Sequence, residues 1–554
     1  MCGIFCAFNQ DDAGNLVLSK LKSLQYRGYD SFGIYCPTWD GTIDCHIRKV
    51  GPIETKLNIM SNKTNCLGHV RWASVGEISK GNCHPIKSTF GHVFICHNGN
   101  IENINDFDFK SHNTLVSDTK IFADYLEKYK FSAFSSKIDG NNAFVAVFPS
   151  EKNSIFVKCT GNKQIFISEN GFISSEKSLI PNGRIAAINS EHSLLKVDFT
   201  KQTINDTLLT KWFDINAEES FYYQANNNTF DVKFSGMLFE IMSQVVPQSI
   251  VKIPTIDKNE SYTITGCGSS YYAAMFGKYC LEGLGYDIEC EYASQLKYRH
   301  NNFRKLIAIS QSGETADILN IVDNYPDLIS ITNHQESILA KKSKHVIPIG
   351  VGVETAVAST KTFTGSCIRL MEMSGFSDAS KEYRANASIH VHNSLLEKIL
   401  DKVYNKYRTV QKFLFLGDYI DYPIALEGAL KMKEVAYYSA DGMPASEIKH
   451  GPIALIDDNT LSVFVLSSDN NQSTINNIKE ILSRKGKVLV ISNLKNENSL
   501  NKLDCDCIYL ELTNNIYINS LISLIPLQYL AYYTAVRDNK NPDMPRHLAK
   551  CVTV

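Results

Sequence analysis

Cys2 follows Met1 directly and precedes Gly3 and Ile4. A small second residue permits removal of Met1. The freed α-amine, with a reference pKa of roughly 7.7–8.0, is then a usable general base beside its own thiol. A thiolate so placed attacks an amide carbonyl; the alternative is a small hydrophobe at a frayed terminus. A second set of chemical residues lies far along the chain. Glu427, Lys431 and Glu434 are spaced i, i+4 and i+7, on one face of a helix. Such a row is either an acid–base constellation or a solvent salt-bridge ladder. Ser310-Gln311-Ser312-Gly313-Glu314-Thr315 is a run of hydroxyls and an amide behind an apolar strand. Leading into a helix, its N–H groups favour a phosphate. Gly268-Ser269-Ser270 adds donors at another strand end, and neither loop carries the GK[ST] ending of a nucleotide-binding P-loop.

These groups need rigid elements behind them. Residues 1 to about 212 read as short alternating strands with Gly, Asn and Asp turns, for example 90–96 and 143–148. A polar stretch, 214–231, contains Asn226-Asn227-Asn228 and reads as a linker. A helix over 237–248 opens the second half. That half reads as a doubled α/β unit. Strands over 261–266 and 413–417 each end in a glycine turn before a helix, and strands over 305–310 and 461–466 run into serine loops. Ligands of such sheets bind outside the carboxyl ends of the strands, where these loops lie. Only the first copy keeps a full anion-binding loop.

The bulk composition bounds the rest. The chain has 554 residues, enough for three or four domains, with 44% apolar and 21% charged residues. A net charge of -2 gives no nucleic-acid or membrane-surface footprint. The 15 cysteines are scattered, odd in number and without a C-x-x-C, which suits reduced thiols and a cytoplasmic protein. The apolar stretch 516–536 is interrupted by Asn519, Pro526 and Gln528 and reads as a buried helix rather than a membrane span.

Behind Cys2 come Tyr26-Arg27-Gly28-Tyr29-Asp30-Ser31, Gly68-His69-Val70-Arg71-Trp72-Ala73-Ser74, His84-Pro85, His97-Asn98-Gly99 and Ser117-Asp118-Thr119. In this order they resemble the glutaminase domain of the N-terminal-nucleophile (Ntn) amidotransferases. The resemblance implies that Cys2 is the nucleophile and that Asn98 and Gly99 form the oxyanion hole. It implies that Arg71 holds the glutamine α-carboxylate, Asp118 its α-ammonium, and that Trp72 gates the passage of ammonia. It also implies that Arg27 and His84 line the same glutamine pocket. Cys6, Ser74, Val75 and Asn100 depart from the family pattern.

The second half carries Tyr422-Pro423-Ile424-Ala425-Leu426-Glu427-Gly428-Ala429-Leu430-Lys431-Met432-Lys433-Glu434, Glu447-Ile448-Lys449-His450-Gly451-Pro452, Val357-Ala358-Ser359-Thr360-Lys361 and Leu548-Ala549-Lys550. With the serine loops these resemble the sugar-phosphate isomerase (SIS) fold and, over essentially the full chain, the glutamine–fructose-6-phosphate aminotransferase (isomerising) family. The fold so implied is an α+β Ntn glutaminase domain followed by two tandem α/β SIS domains with parallel sheets. The expected division is glutaminase 1–213, linker 214–236, first SIS domain 237–390, second SIS domain 391–540 and C-terminal tail 541–554. The resemblance assigns the C1-to-C2 proton transfer to Glu434 with Lys431 assisting, ring opening to His450, and an imine with the open ketose to Lys550. It assigns sugar-phosphate contacts to Ser269, Ser270, Ser310, Gln311, Ser312, Thr315, Val357 and Ala549. It implies glutamine and fructose 6-phosphate as substrates, no cofactor or metal, and a homo-oligomer, at least a dimer, with His450 shared across subunits. Two other readings stand beside it: a different Ntn amidotransferase, such as the phosphoribosyl-diphosphate type, and a non-catalytic sugar-phosphate sensor. The absence of a pyrophosphate-binding acidic loop disfavours the first, and the full set of chemical residues disfavours the second.

Overall fold

The computed structural model describes residues 2–38, 44–53, 63–107, 115–130, 134, 137–181, 183–190, 192–205, 207–216, 236–245, 253–254, 256–299, 304–391, 394–469 and 472–551. Met1, Asn470 and residues 217–235 of the expected linker, with Asn226-Asn227-Asn228, lie outside them. The chain divides into two compact units, Met1–Asn228 with Ala549–Val554, and Thr229–Leu548.

Fourteen described strands build the first unit. They are β1 (Gly3–Phe8), β2 (Ser31–Cys36), β3 (Cys45–Val50), β4 (Asn65–Arg71), β5 (Ile86–Lys87), β6 (Phe94–Asn98), β7 (Asn142–Val147), β8 (Ile155–Thr160), β9 (Ile165–Ser168), β10 (Phe172–Ser174), β11 (Ile185–Ile188), β12 (Leu195–Asp198), β13 (Thr203–Ile204) and β14 (Thr207–Leu208). They form two seven-stranded sheets, ordered β11-β9-β10-β1-β4-β2-β3 and β14-β13-β12-β8-β7-β6-β5. Strand alternation sets the layers. Ile4, Cys6 and Phe8 of β1 share a core with Cys96, Val145 and Val157 of the other sheet. Phe5 and Ala7, on the opposite face of β1, pack under Val17 and Leu21 of the Ala13–Leu24 helix. Phe144 and Ala146 pack under Phe122 and Leu126 of the Asp118–Tyr129 helix. The result is a four-layer α-β-β-α sandwich.

The second unit holds β15 (Ser261–Gly266), β16 (Asp287–Tyr292), β17 (Lys305–Ser310), β18 (Ile329–Thr332) and β19 (His345–Pro348), then β20 (Lys412–Leu416), β21 (Ser439–Met443), β22 (Thr460–Leu466), β23 (Lys487–Asn493) and β24 (Asp506–Leu510). The two five-stranded sheets repeat one order, β16-β15-β17-β18-β19 and β21-β20-β22-β23-β24, with every pair parallel. The Ile516–Arg537 helix, capped by Asn515 and buried along most of its length, packs on the Asp421–Ala436 helix. Among the described residues no helix is long and apolar enough to cross a membrane.

Three expected elements differ. The strand expected over 90–96 starts at Phe94, because Ser88–Val93 closes a turn whose Phe90 and His92 N–H groups donate to the Glu127 carboxylate. The helix opening the second half stops at Ser243. Pro247 lies just beyond and disfavours helix in the residue before it, and residues 246–250 are outside the described set. The helix after the Ser310–Thr315 loop is a single turn, Ala316–Leu319, capped at Thr315.

Candidate active site

In the first unit the β1–β4 register pairs Gly3 with Val70, so Cys2 lies at the end of β1 beside the end of β4. The Cys2 thiol donates to the Trp72 carbonyl at 3.4 Å. Arg71 ends β4 and is buried; its guanidinium donates to the carbonyls of Val75 (2.6 Å) and Glu77 (3.2 Å) and curls the following loop around itself. Asp30 shapes the start of that loop, taking the Ala73 N–H on its carboxylate and giving its own N–H to the Arg71 carbonyl. Arg27 is also buried and donates to the Ser175 carbonyl (2.8 Å) and hydroxyl (2.9 Å).

Asn98 ends β6, buried, and its Oδ1 has no hydrogen-bond partner among the described residues. Gly99 has φ +145°, and a Cβ there would sit 2.3 Å from the Asn141 carbonyl oxygen, so only glycine fits. Asp118 heads its helix behind the Ser117 cap and accepts from the Ile101 N–H (2.9 Å) and the Thr119 N–H (2.7 Å).

A buried histidine relay joins these pieces. His69 Nε2 meets the His97 carbonyl at 2.9 Å, and His97 meets Thr119 Oγ1 (2.7 Å) and Asn142 Oδ1 (2.9 Å). The His84 ring lies tilted against His69 at 4.2 Å between ring centroids, with both its nitrogens unpartnered among the described residues. Burial pulls all three imidazoles below their ordinary pKa, so they act as neutral spacers. The relay ties the strand of Arg71 to the strand of Asn98 and to the helix of Asp118. Neither His69 nor Asp30 was singled out by the sequence reading. Their only signal was membership of motifs whose other residues carry the chemistry.

In the second unit the Glu427–Lys431–Glu434 row is not a solvent ladder. Glu427 and Lys431 are fully buried, 3.3 Å apart, and Lys431 also pairs with Glu434. Ser269, at the head of the Ser269–Glu282 helix, donates to Glu427 at 3.0 Å and accepts from Lys431 at 3.2 Å. Lys431, flanked by two carboxylates, is held protonated despite its burial. Glu427 shares that cation, and burial pushes its carboxyl up to about 7. Ser310 ends β17; its hydroxyl accepts the Gly313 N–H (3.0 Å) and lies 2.9 Å from the Thr315 hydroxyl. Ser312 accepts the Glu314 N–H at 3.1 Å, and the Gln311 carbonyl accepts the Asn333 N–H.

The corresponding strand end of the second parallel sheet differs. Asp421 is buried at the start of the Asp421–Ala436 helix and takes both the Ser467 N–H (3.0 Å) and hydroxyl (2.6 Å) at the end of β22. A carboxylate of the chain itself uses the donors there. The loop of Val357 is held just as firmly: Glu240 accepts from the N–H groups of Thr355 and Ala356, and Glu354 from those of Thr360 and Thr362. These buried acids, each set in a mostly apolar run, also went unread in the sequence. His450 is exposed after the Ala445–Lys449 turn of 3-10 helix. Ala549 and Lys550 fall with the first unit.

The SIS domain family model matches residues 255–373 and 407–537, one match on each parallel sheet. The glutamine–fructose-6-phosphate aminotransferase (isomerising) of Buchnera aphidicola is 31% identical, and the alignment covers all of both chains. This chain belongs to the glutamine–fructose-6-phosphate aminotransferase (isomerising) family. The Aquifex aeolicus member is 30% identical, again over all of both chains. The solved C-terminal domain of the glucosamine-fructose-6-phosphate aminotransferase of Francisella tularensis is 28% identical with a TM-score of 0.51, and the match covers 56% of this chain and 98% of that one. The two repeated sheets are therefore a pair of SIS domains. Both halves of the family's length are represented in this chain.

Proposed function

We propose that the chain transfers the amide nitrogen of glutamine to fructose 6-phosphate and isomerises the ketose to the aldose, giving glutamate and glucosamine 6-phosphate. The observation that carries this reading is the Ser269–Glu427–Lys431–Glu434 cluster, with Glu427 and Lys431 fully buried, in a chain aligned over its full length with isomerising aminotransferases.

In this reading residues 1–213 are an Ntn glutaminase domain, 214–236 a linker, 237–390 and 391–540 the two SIS domains, and 541–554 the tail. Cys2 attacks the glutamine amide with its α-amine as base. Asn98 and the Gly99 N–H stabilise the oxyanion. Ammonia leaves with a proton from the amine, and water hydrolyses the thioester to glutamate. Arg71 and Asp118 hold the α-carboxylate and α-ammonium, while Arg27, His84 and Trp72 shape the pocket and its exit. Arg71 needs no rotamer search, because its loop already fixes the fork.

The ketose phosphate binds through Ser269, Ser270, Ser310, Gln311, Ser312 and Thr315, with Val357 and Ala549 completing the pocket. His450 from a neighbouring subunit opens the ring, and Lys550 forms an imine with loss of water. Ammonia displaces that lysine. Glu434 then takes the C1 proton and returns it to C2, with Lys431 balancing the charge. The route uses no metal or organic cofactor. Incubation of the protein with glutamine and fructose 6-phosphate tests the reading: equal amounts of glutamate and glucosamine 6-phosphate are expected, and glutamate without amino sugar under saturating ketose refutes it.

A further inference from the structure

Past the Ile516–Arg537 helix the chain is pinned to the rest of its unit at two places. Lys540 donates to the Ala436 carbonyl at the end of the Asp421–Ala436 helix and lies over the Tyr437 and Tyr438 rings at 5.4 and 4.6 Å. The Arg546 guanidinium covers the Tyr437 ring at 4.5 Å, and the Arg546 backbone N–H donates to the Tyr437 hydroxyl at 2.8 Å. Between them sits Asp543. Its carboxylate accepts the Met237 N–H at 2.6 Å, on the first turn of the Met237–Ser243 helix, and its carbonyl accepts the Val357 N–H at 3.1 Å.

The preceding residue is built around that carboxylate. Gly236 has φ +131°, and a Cβ there would lie 2.4 Å from Asp543 Oδ2. The same helix supplies Glu240, which takes the N–H groups of Thr355 and Ala356. Three consecutive N–H groups, at 355, 356 and 357, are thus held by one short helix and by Asp543. The carboxylate is largely withdrawn from water, which raises its pKa and makes the Met237 N–H it accepts count for more.

We propose that Asp543 is a positioning residue for the amination step: it locks the segment leading to Ala549 and Lys550 in register with the Val357 loop and the catalytic helix. The inference rests on the reading of Lys550 and Val357 given above. Its physical logic is short: only three residues separate Arg546 from Lys550, too few to absorb a slip of the segment. A slip would leave glutamine hydrolysis intact and spoil ketose capture.

The test uses the full-length enzyme with Asp543→Ala, Gly236→Ala and Asp543→Asn, measuring glutamate and glucosamine 6-phosphate in parallel. Asp543→Ala is expected to raise the KM for fructose 6-phosphate roughly ten-fold and to push the ratio of glutamate to amino sugar well above one. Glutamate release without ketose should stay at the wild-type rate. Gly236→Ala should do the same, since it displaces the same carboxylate. Asp543→Asn keeps an acceptor for the Met237 N–H and should restore both KM and the ratio. A wild-type KM and a ratio of one in Asp543→Ala would overturn the proposal, as would a loss of both activities in equal proportion with a lowered Tm, or an asparagine variant as impaired as the alanine. A wild-type enzyme that makes no amino sugar refutes the functional reading instead, so the two failures are distinct.

Discussion

At the scale of single residues, Cys2, Gly99 and Glu434 carry separable consequences. Cys2→Ala should abolish glutamate release while leaving fructose 6-phosphate binding unchanged by calorimetry, because the thiol is the only nucleophile assigned to glutamine. Gly99→Ala meets both a left-handed backbone and the Asn141 carbonyl at 2.3 Å. It should cost about 2 kcal/mol of stability or more and lose glutaminase activity, read by thermal unfolding and glutamate assay together. Glu434→Gln retains shape but not basicity. Amino-sugar formation should fall by roughly 10²–10⁴-fold with ketose-independent glutamate release unchanged; an undiminished product rate would remove Glu434 from the proton transfer.

At the scale of elements, the Asp421–Ala436 helix serves two ends. Its C-terminal half presents Lys431 and Glu434; its first turn buries Asp421 against Ser467. Burial raises the Asp421 carboxyl from an ordinary 3.8 to about 6. Between those values the folded chain binds a proton that the unfolded chain has released. Stability contributed at this site is therefore fully present below 3.8 and falls as pH rises through 6. Asp421→Asn is uncharged throughout, so the wild-type-minus-variant difference in unfolding free energy should fall by an amount on the order of 3 kcal/mol across that window. A difference that stays flat from pH 4 to 6.5, measured by urea unfolding, would show that Asp421 is ionised like a surface carboxylate.

At the scale of the whole molecule, His450 is exposed on its own chain, and the ring-opening role proposed for it needs a second subunit. Mixed dimers carrying His450→Ala in one chain and Glu434→Gln in the other should retain at most one competent ketose site. Their product rate should be near half of wild type if subunits exchange His450, and near zero if each site draws both residues from its own chain.

Most of the strands, the doubled α/β half and the buried helix over 516–536 were legible because period-2 and period-3.6 patterning reflects burial directly, and the motif order behind Cys2 was legible because it is linear. Cys2 and the Glu427–Lys431–Glu434 row stood out by type and spacing, each with a bland alternative, whereas Arg71, Asn98, Gly99 and Asp118 were named only through the resemblance of their motifs to the Ntn amidotransferases. Whether that row faced water or the interior could not be read, since a helix face has no address until it packs; only the approach of Ser269 and the full burial of Glu427 and Lys431 decided it. The same limit hid the supporting acids. Glu240, Asp421 and Asp543 take backbone N–H groups 116, 46 and 306 residues away, and a hydrogen bond of that sequence separation leaves no periodic trace in the chain that forms it.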